Sequence, residues 1–159
     1  MKKILLTLVA VFALSLAANA QDNALGVRLG GGQGYGAELS YQRALGSNRL
    51  ELDLGWYDNE HNTAFSLNGI YQWRGTISGN FGWYAGVGAR FDYWTWDAWD
   101  THADGDSDIA LALVGQAGLE YAFDAVPIQL SLDIRPCFYL IPETNFHWGD
   151  IALGIRYMF

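Results

Sequence analysis

The chain has 159 residues, of which 51% are hydrophobic, 15% aromatic and only 16% charged, and its formal net charge is −8. So apolar a composition excludes intrinsic disorder, because such a chain does not stay solvated when unfolded. The single cysteine, Cys137, excludes a disulfide framework, and the negative charge argues against nucleic-acid binding because it repels a phosphate backbone. The size predicts one domain, and the composition fits a closed β protein, either soluble or in a membrane.

The first twenty residues have the pattern of a secretory signal peptide. Lys2 and Lys3 precede an apolar run over 4–16 and the small-residue sequence Ala18-Asn19-Ala20. The run is shorter than the roughly 20 residues of a membrane-spanning helix, so we interpret it as a cleaved signal rather than an anchor. We expect residues 1–20 to be removed, which leaves residues 21–159 as one exported domain with 17 acidic and 7 basic side chains.

Apolar residues alternate with polar or small ones along eight stretches of the mature chain, which is the pattern of β-strands. The stretches are residues 25–30, 35–42, 50–56, 65–73, 83–93, 109–123, 128–138 and 150–159. Several of them are as long as the ~9–11 residues that a strand needs to cross a bilayer at a tilt. The pattern predicts an all-β, antiparallel, up-and-down barrel of eight strands.

The two faces of these strands distinguish a soluble barrel from a transmembrane one. One face consists of Leu, Ile, Val and Phe edged by Trp and Tyr, which suits lipid contact between aromatic girdles. The other carries Gly, Ala, Ser and Gln with isolated charges, which suits the narrow interior of an eight-stranded barrel. We therefore favour a transmembrane barrel with a polar lumen. The alternative is a soluble periplasmic calyx whose apolar face points inward onto a ligand.

The charged residues of the polar face are expected to fill the lumen as a salt-bridge network, because buried charges must be paired and arginine suits contact with carboxylates. The predicted network comprises Arg28, Glu38, Glu51, Asp53, Arg90, Asp92, Glu120, Asp133, Arg135 and Arg156. An ion path is the alternative, but an interior packed with side chains leaves little room for an open pore. Cys137 is predicted to pack in the lumen, and Pro136 to interrupt its strand.

The connections between the predicted strands alternate in length. Those over 44–48, 74–80 and 124–127 are short turns, whereas those over 58–62, 94–108 and 141–147 are longer. Outer-membrane barrels have short periplasmic turns and longer extracellular loops. This rule places both chain termini in the periplasm and the longest connection, over 94–108, on the exterior.

The connection over 94–108, WTWDAWDTHADGDSD, is the most distinctive segment. Alternating oxygen ligands such as Asp104, Asp106 and Asp108 can wrap a Ca²⁺ ion. The spacing does not match an EF-hand at its glycine and glutamate positions, so we interpret the segment as a solvated acidic loop without a metal site. Its tryptophans suit anchoring at a membrane interface or contact with a sugar or a partner protein: Trp94, Trp96 and Trp99.

Together these features resemble the small outer-membrane β-barrel superfamily of the OmpA and OmpX type. The resemblance rests on the signal peptide, the eight amphipathic strands and the final strand over 151–159, IALGIRYMF, and it covers the mature chain. It implies a monomer in the outer membrane of a Gram-negative bacterium, with Tyr157 and Phe159 read by the barrel-assembly machinery. The sequence stops at Phe159 without the periplasmic peptidoglycan-binding domain of OmpA, so the resemblance does not imply cell-wall tethering.

We expect a structural or surface-interaction role, without catalysis or a cofactor, in which the acidic loop meets an extracellular ligand or protein. Some eight-stranded barrels modify lipid A through a histidine, a serine and an acid near the outer rim, so a lipid A acyl hydrolase or transferase is the alternative. Histidines fall in three predicted loops, at His61, His102 and His147. No nearby hydroxyl forms a His-x-Ser motif with them, which disfavours catalysis; these hydroxyls belong to Thr63, Ser66 and Ser107.

Overall fold

The alternating segments form the wall of a closed antiparallel barrel in a computed structural model, which describes residues 22–31, 36–58, 62–96 and 107–159. The strands are β1 (Asn23–Gly31), β2 (Ala37–Leu45), β3 (Asn48–Asp58), β4 (Asn62–Ser78), β5 (Phe81–Trp96), β6 (Ser107–Ala122), β7 (Ile128–Ile134), β8 (Cys137–Ile141), β9 (Asn145–His147) and β10 (Ile151–Met158). Over these ranges β7 with β8, and β9 with β10, each act as one strand of the wall. The predicted eight-stranded, up-and-down, all-β barrel is thereby confirmed.

Neighbouring strands pair along the chain, and β1 closes the wall by pairing with β10. The register sets Arg28 of β1 opposite Glu38 of β2 on one side and Gly154 of β10 on the other. β6 pairs with β7 near its end and with β8 near its start. The change of partner falls at Arg135 and Pro136, where the amide of Gly115 donates to the carbonyl of Pro136 at 2.9 Å. A proline without an amide hydrogen interrupts the ladder at this position.

The barrel has two unlike ends. The turn end holds the tight turns at Gly46 and Gly79 and the segment over 123–127, together with Asn23 and Phe159, whose backbones pair at 2.8 and 3.0 Å. Gly46 and Gly79 have φ of 66° and 53°, a left-handed conformation that glycine adopts without steric cost. The opposite, loop end carries the connections between β1 and β2, β3 and β4, β5 and β6, and β8 and β9.

Polarity is reversed relative to a water-soluble protein. Arginine, aspartate, glutamate, glutamine, serine and asparagine side chains occupy the buried interior, whereas leucine, isoleucine and valine on all sides of the barrel point outward and are exposed. Exposed aromatic residues flank this apolar band. Trp73, Trp83 and Tyr157 lie toward the turn end, and Trp56 and Trp148, which are 71% and 83% exposed, lie toward the loop end.

Several predicted boundaries are wrong. The fourth strand does not end at residue 73, since β4 continues to Ser78 and the turn consists of Gly79 and Asn80. Residues after 73 lose the apolar alternation but keep their backbone pairing with the start of β5, which extends the hairpin beyond the barrel rim. No helix in the part of the chain described by the structure is long and apolar enough to cross a membrane.

Four candidate residues predicted in loops also lie in strands. Trp94 and Trp96 belong to β5, and Asp108 belongs to β6, because Trp94 pairs with Asp108 and lengthens this hairpin at the loop end. His147 lies in β9, opposite Cys137 of β8. Residues 1–21, which include the predicted signal peptide, lie outside the described residues, as do His61, Trp99, His102, Asp104 and Asp106.

Candidate functional site

A cluster of eight charged residues fills the middle of the lumen. We call it the central cluster; it consists of Arg28, Arg135 and Arg156 with Glu38, Glu51, Asp53, Asp133 and Asp150. The three arginines are each 1% exposed. The strand alternation turns these side chains inward, and the narrow interior of an eight-stranded barrel then holds them within contact distance.

Arg28 contacts three carboxylates at once. Its Nε and Nη2 donate to Oδ1 of Asp133 at 3.0 and 2.6 Å, and its Nη1 donates to Glu38 at 3.2 Å. Nη1 and Nη2 donate to the two oxygens of Asp150 at 2.9 and 3.0 Å, which is a bidentate pair. The planar fork of arginine makes such geometry available, whereas a lysine ammonium does not.

Arg135 extends the cluster to the opposite wall. It donates to Glu38 at 2.8 Å and to Asp53 at 2.5 Å, and Glu51 lies 3.5 Å from its Nη2. Glu38 therefore bridges Arg28 and Arg135, while Asp53 depends on Arg135 for its ion pair. The residues joined in this way lie on β1, β2, β3 and the β7–β8 junction.

Glu51 is the acceptor at the turn-end side of the central cluster. Arg156 donates to it at 3.2 Å, and it also accepts hydrogen bonds from the amides of Gln72 at 3.1 Å, Gln116 at 3.0 Å and Gln42. A buried carboxylate surrounded by several donors is compensated for its lost hydration. The three glutamines are inward-facing polar residues that the sequence interpretation left out of the network.

Tyr84 joins the central cluster to the turn end. Its hydroxyl donates to Oδ2 of Asp133 at 2.9 Å, and its ring lies 5.0 Å from the guanidinium carbon of Arg49. Gly118 provides the space for this tyrosine, since a Cβ at Gly118 would lie 2.6 Å from the Tyr84 side chain and 2.7 Å from that of Asp133. Tyr84 has the same inward parity on β5 as Arg90 and Asp92, but the predicted network did not include it.

Arg49 and Glu120 form a separate ion pair nearer the turn end. Nη1 of Arg49 donates to Glu120 at 2.7 Å, its Nε donates to Gln72 at 2.5 Å, and Gln129 donates to Glu120 at 2.8 Å. The predicted network did not include Arg49. Its position two residues before Glu51 gives it the same inward parity, and this signal identifies it as a lumen residue.

Arg90 and Asp92 form a third group, toward the loop end. Nε of Arg90 lies 2.8 Å from both Asp92 oxygens, and the hydroxyl of Tyr139 donates to Asp92 at 3.1 Å. Beside them lies a small apolar cluster, which comprises Ile70, Ala112, Val114 and Cys137. The ion pairs of the predicted network thus fall into the central cluster and two smaller groups, and Gln72 links the Arg49 group to Glu51 of the central cluster.

The loop-end candidates do not form a reactive or metal-binding group in the part of the chain that is described. Asp108 is exposed, and the ring of His147 meets Tyr139 edge-on at a centroid distance of 5.4 Å. No three histidine, cysteine, aspartate or glutamate side chains among the described residues are arranged to hold a metal ion. Trp148, which the sequence interpretation left out, contacts Phe146 edge-on at 5.3 Å and is the most exposed large hydrophobic residue among those that the structure describes.

The contacts in the lumen suit holding the strands of the barrel together better than they suit catalysis. Every arginine of the central cluster connects strands that are far apart in the sequence, and Glu38, Glu51, Asp133 and Asp150 each accept two or more hydrogen bonds. Oδ1 of Asp53 and Nε of Arg135 have no partner among the described residues. The remaining contacts form a charge network that rigidifies the barrel. Together, the fold and this filled interior define a small, closed, eight-stranded barrel with a polar lumen and an apolar exterior.

Two solved structures share this fold. The chain is similar to neisserial surface protein A with a TM-score of 0.59 and 15% identity, over 86% of this chain and 95% of that one. It is similar to the N-terminal β-barrel domain of OprF from Pseudomonas aeruginosa with a TM-score of 0.58 and 18% identity, over 89% of this chain and 100% of that one. Both are small eight-stranded outer-membrane barrels, so the expected likeness to that class is confirmed for the fold. No family model matches the chain, and no curated protein matches it.

Proposed function

We propose that this chain is an outer-membrane β-barrel protein of a Gram-negative bacterium with a structural or surface-interaction role. The reversed polarity of the barrel carries the proposal, because charged side chains fill the interior while the outward strand positions expose leucine, isoleucine and valine. In water this apolar band would cause aggregation, whereas in a membrane it matches the hydrocarbon core. The fold shared with two outer-membrane barrels supports the same setting.

The proposed orientation has the turn end in the periplasm and the loop end outside the cell. Short turns at one end and longer connections at the other are typical of outer-membrane barrels. The exposed aromatic residues toward both ends support this placement, since tryptophan and tyrosine prefer the membrane–water interface. Residues 1–20 then act as the export signal, as the sequence pattern indicates.

We propose that the lumen does not conduct ions. Arg28, Arg135 and Arg156 lie across the interior and are paired there with carboxylates, so an ion passing along the axis would have to displace a hydrogen-bonded side chain. Breaking a buried ion pair costs about 3–5 kcal/mol. A sealed lumen is consistent with a role that depends on the barrel wall and the loops rather than on transport.

The surface role is assigned to the loop end. Trp56 and Trp148 are highly exposed there, and β5 and β6, which the acidic sequence over 97–106 connects, both reach this end. Exposed tryptophans next to acidic residues suit contact with a partner protein or a sugar. No feature of the described residues favours catalysis, so an enzymatic role is not proposed.

Cysteine labelling on intact cells tests both the membrane and the orientation. We would introduce Asp104→Cys in the connection between β5 and β6 and Asn80→Cys at the turn end, and treat intact cells with a membrane-impermeant maleimide. The account predicts labelling of the Asp104→Cys protein alone, with both variants in the outer-membrane fraction. The native Cys137 is buried and gives the background in the unsubstituted protein.

Two results would contradict the proposal. Recovery of the folded protein in the soluble periplasmic fraction would exclude a membrane barrel. Labelling of Asn80→Cys in intact cells, with Asp104→Cys protected until the cells are broken, would reverse the orientation.

A further inference from the structure

The turn end of the barrel contains a depression that is lined by residues outside the central cluster. The hairpin of β4 and β5 extends past the start of β3, so its inward residues from Arg74 onward face an open space bordered by Ser47 of the neighbouring turn and Glu120 of β6. The depression has a volume of about 470 Å³. A smaller recess of about 40 Å³ continues from it, lined by Arg49, Arg74 and Gln129.

Two arginine side chains border this recess, and each has a donor nitrogen that forms no hydrogen bond with any described residue. Nη2 of Arg49 and Nε of Arg74 are buried and have no hydrogen-bond partner among the described residues. Arg49 itself is 2% exposed, and its orientation is fixed by Glu120, Gln72 and the ring of Tyr84. An unpaired buried donor on a charged group is costly, so a rigid group of this kind indicates a site for an acceptor.

The nearby carboxylates do not supply that acceptor. Glu120 is already engaged by Nη1 of Arg49 and by the amide of Gln129. Asp22 also borders the recess, but it is exposed and forms no ion pair with either arginine. Arg74 forms no ion pair with any described residue, and its charge opposes that of Arg49 nearby. The positive charges of Arg49 and Arg74 are therefore matched by one carboxylate, Glu120, which already accepts hydrogen bonds from Arg49 and Gln129.

Gln129 indicates which anion fits. Its amide oxygen lines the same recess, is buried and also has no partner among the described residues. A carboxylate has only acceptors, and a phosphate monoester is mostly a dianion without a hydroxyl at neutral pH. Inorganic hydrogen phosphate keeps one hydroxyl, so it offers acceptors to the two arginines and a donor to this amide oxygen.

We propose that the turn end of the barrel is a binding site for inorganic hydrogen phosphate, HPO4²⁻, held between Arg49 and Arg74 with Gln129 beside them. The site lies on described residues and does not depend on the membrane setting of the barrel. A failure to find it would leave the proposed function unaffected.

Arginine side-chain NMR on the folded mature protein in detergent micelles tests the site directly. Spectra that correlate Nε with its hydrogen would be recorded while sodium phosphate is added, with sodium chloride at matched ionic strength as the reference. We expect saturable shifts of the Arg74 and Arg49 signals with phosphate and none with chloride. The signals of the central-cluster arginines Arg28 and Arg156 should not move.

Arg74→Lys keeps the positive charge but removes Nε, so it should weaken phosphate binding about tenfold or more, read from the Arg49 signal. Arg43→Lys is the matched control, because Arg43 is an exposed arginine near the same end of the barrel, and it should leave binding unchanged. Glycerol 3-phosphate is a monoester that mostly lacks a hydroxyl on phosphorus at neutral pH, so it tests the contact with Gln129: weaker binding than that of inorganic phosphate supports the proposal, and equal or tighter binding contradicts it. Equal shifts with chloride, unchanged affinity in Arg74→Lys, or no shift with either phosphate compound would overturn the proposal.

Discussion

At the scale of single residues, the lumen depends on arginines that reach carboxylates across the barrel. Arg28 and Asp133 are 105 positions apart in the chain, and Arg135 and Glu38 are 97 apart. Removing one of these arginines leaves buried carboxylates without a compensating positive charge. The free energy lost in this way exceeds the contribution that the arginine would make as an isolated charge. The free energy of folding should therefore respond more strongly to these arginines than to any exposed one.

Replacing Arg28 by methionine tests this dependence. The substitution leaves Glu38, Asp133 and Asp150 without their shared cation, and we expect it to lower the free energy of unfolding by about 3–5 kcal/mol. Equilibrium unfolding in urea, with the barrel inserted in lipid vesicles, measures the change. Arg28→Lys retains the charge without the bidentate fork, so its loss should be smaller.

The control for this measurement is Arg43→Met. Arg43 lies on β2, is exposed, and has no ion pair with any residue that the structure describes, so its substitution should change the stability by no more than about 0.5 kcal/mol. Equal losses for Arg28→Met and Arg43→Met would show that the central cluster does not stabilise the barrel.

The alternation along each strand predicted which side chains face the lumen, but not which of those side chains contact each other. Arg49 illustrates the first point, since its parity with Glu51 marks it as an inward residue and the structure buries it. The contact of Arg28 with Asp133 illustrates the second, because it requires the register of β1, β10 and β7 together. Alternation within one strand carries no information about the offset between strands.

At the scale of the strand, the outward face is the part of the molecule that meets its solvent. Leu132 of β7 lies in the middle of that face, between Leu119 of β6 and Leu153 of β10, and is 52% exposed. Leu45 has nearly the same exposure but adjoins the tight turn at Gly46. The two leucines differ in depth if the band spans a bilayer, and they are equivalent if it faces water.

Arginine substitutions at these two positions separate the possibilities. Leu132→Arg should lower the free energy of unfolding in lipid vesicles by about 2–4 kcal/mol, because it places a charge near the bilayer midplane, whereas Leu45→Arg near the interface should cost about 0–1 kcal/mol. Urea titration in vesicles of defined thickness gives both values. If the two costs are equal, the outward face does not span hydrocarbon.

The last strand carries a second prediction at this scale. Tyr157 and Phe159 lie at the end of the chain, and their rings stack at a centroid distance of 6.3 Å. We propose that these aromatic residues are recognised during assembly, as the resemblance to small outer-membrane barrels implies. Phe159→Ala should then reduce the amount of folded barrel in cells several-fold while leaving refolding of the purified chain into detergent unchanged.

Phe123→Ala is the matched control for assembly, because Phe123 is also an exposed aromatic residue at the turn end. It should accumulate in cells like the unsubstituted protein. Equal accumulation of the Phe159→Ala and unsubstituted barrels, judged by heat-modified mobility on gels, would remove the assembly role.

Strand boundaries were harder to predict than strand faces. The end of β4 was placed at residue 73 because the apolar alternation stops there, yet backbone pairing with β5 continues to Ser78. Edge segments of this kind need no apolar face, since neither of their sides is packed against a core. By contrast, the interruption between β7 and β8 was predictable from Pro136, which lacks an amide hydrogen.

At the scale of the whole molecule, the barrel keeps its charges apart from its apolar surface, in the reverse of the arrangement in a soluble protein. The low charged fraction of the sequence is concentrated in the lumen and at the ends, and the high hydrophobic fraction lies on the outer wall. Alternation along the strands predicted this arrangement, together with the strand number and the closure. The depression at the turn end was not predictable, because it arises from the unequal lengths of β3, β4 and β5.

The most direct test of the central claim is the refolding of the mature chain, residues 21–159, from urea with and without lipid vesicles. The account predicts a protease-resistant monomer in vesicles, whose gel mobility changes on heating, and an aggregate in buffer alone, because the outward leucines, isoleucines and valines require an apolar solvent. A folded, monodisperse monomer in buffer without lipid or detergent would contradict it.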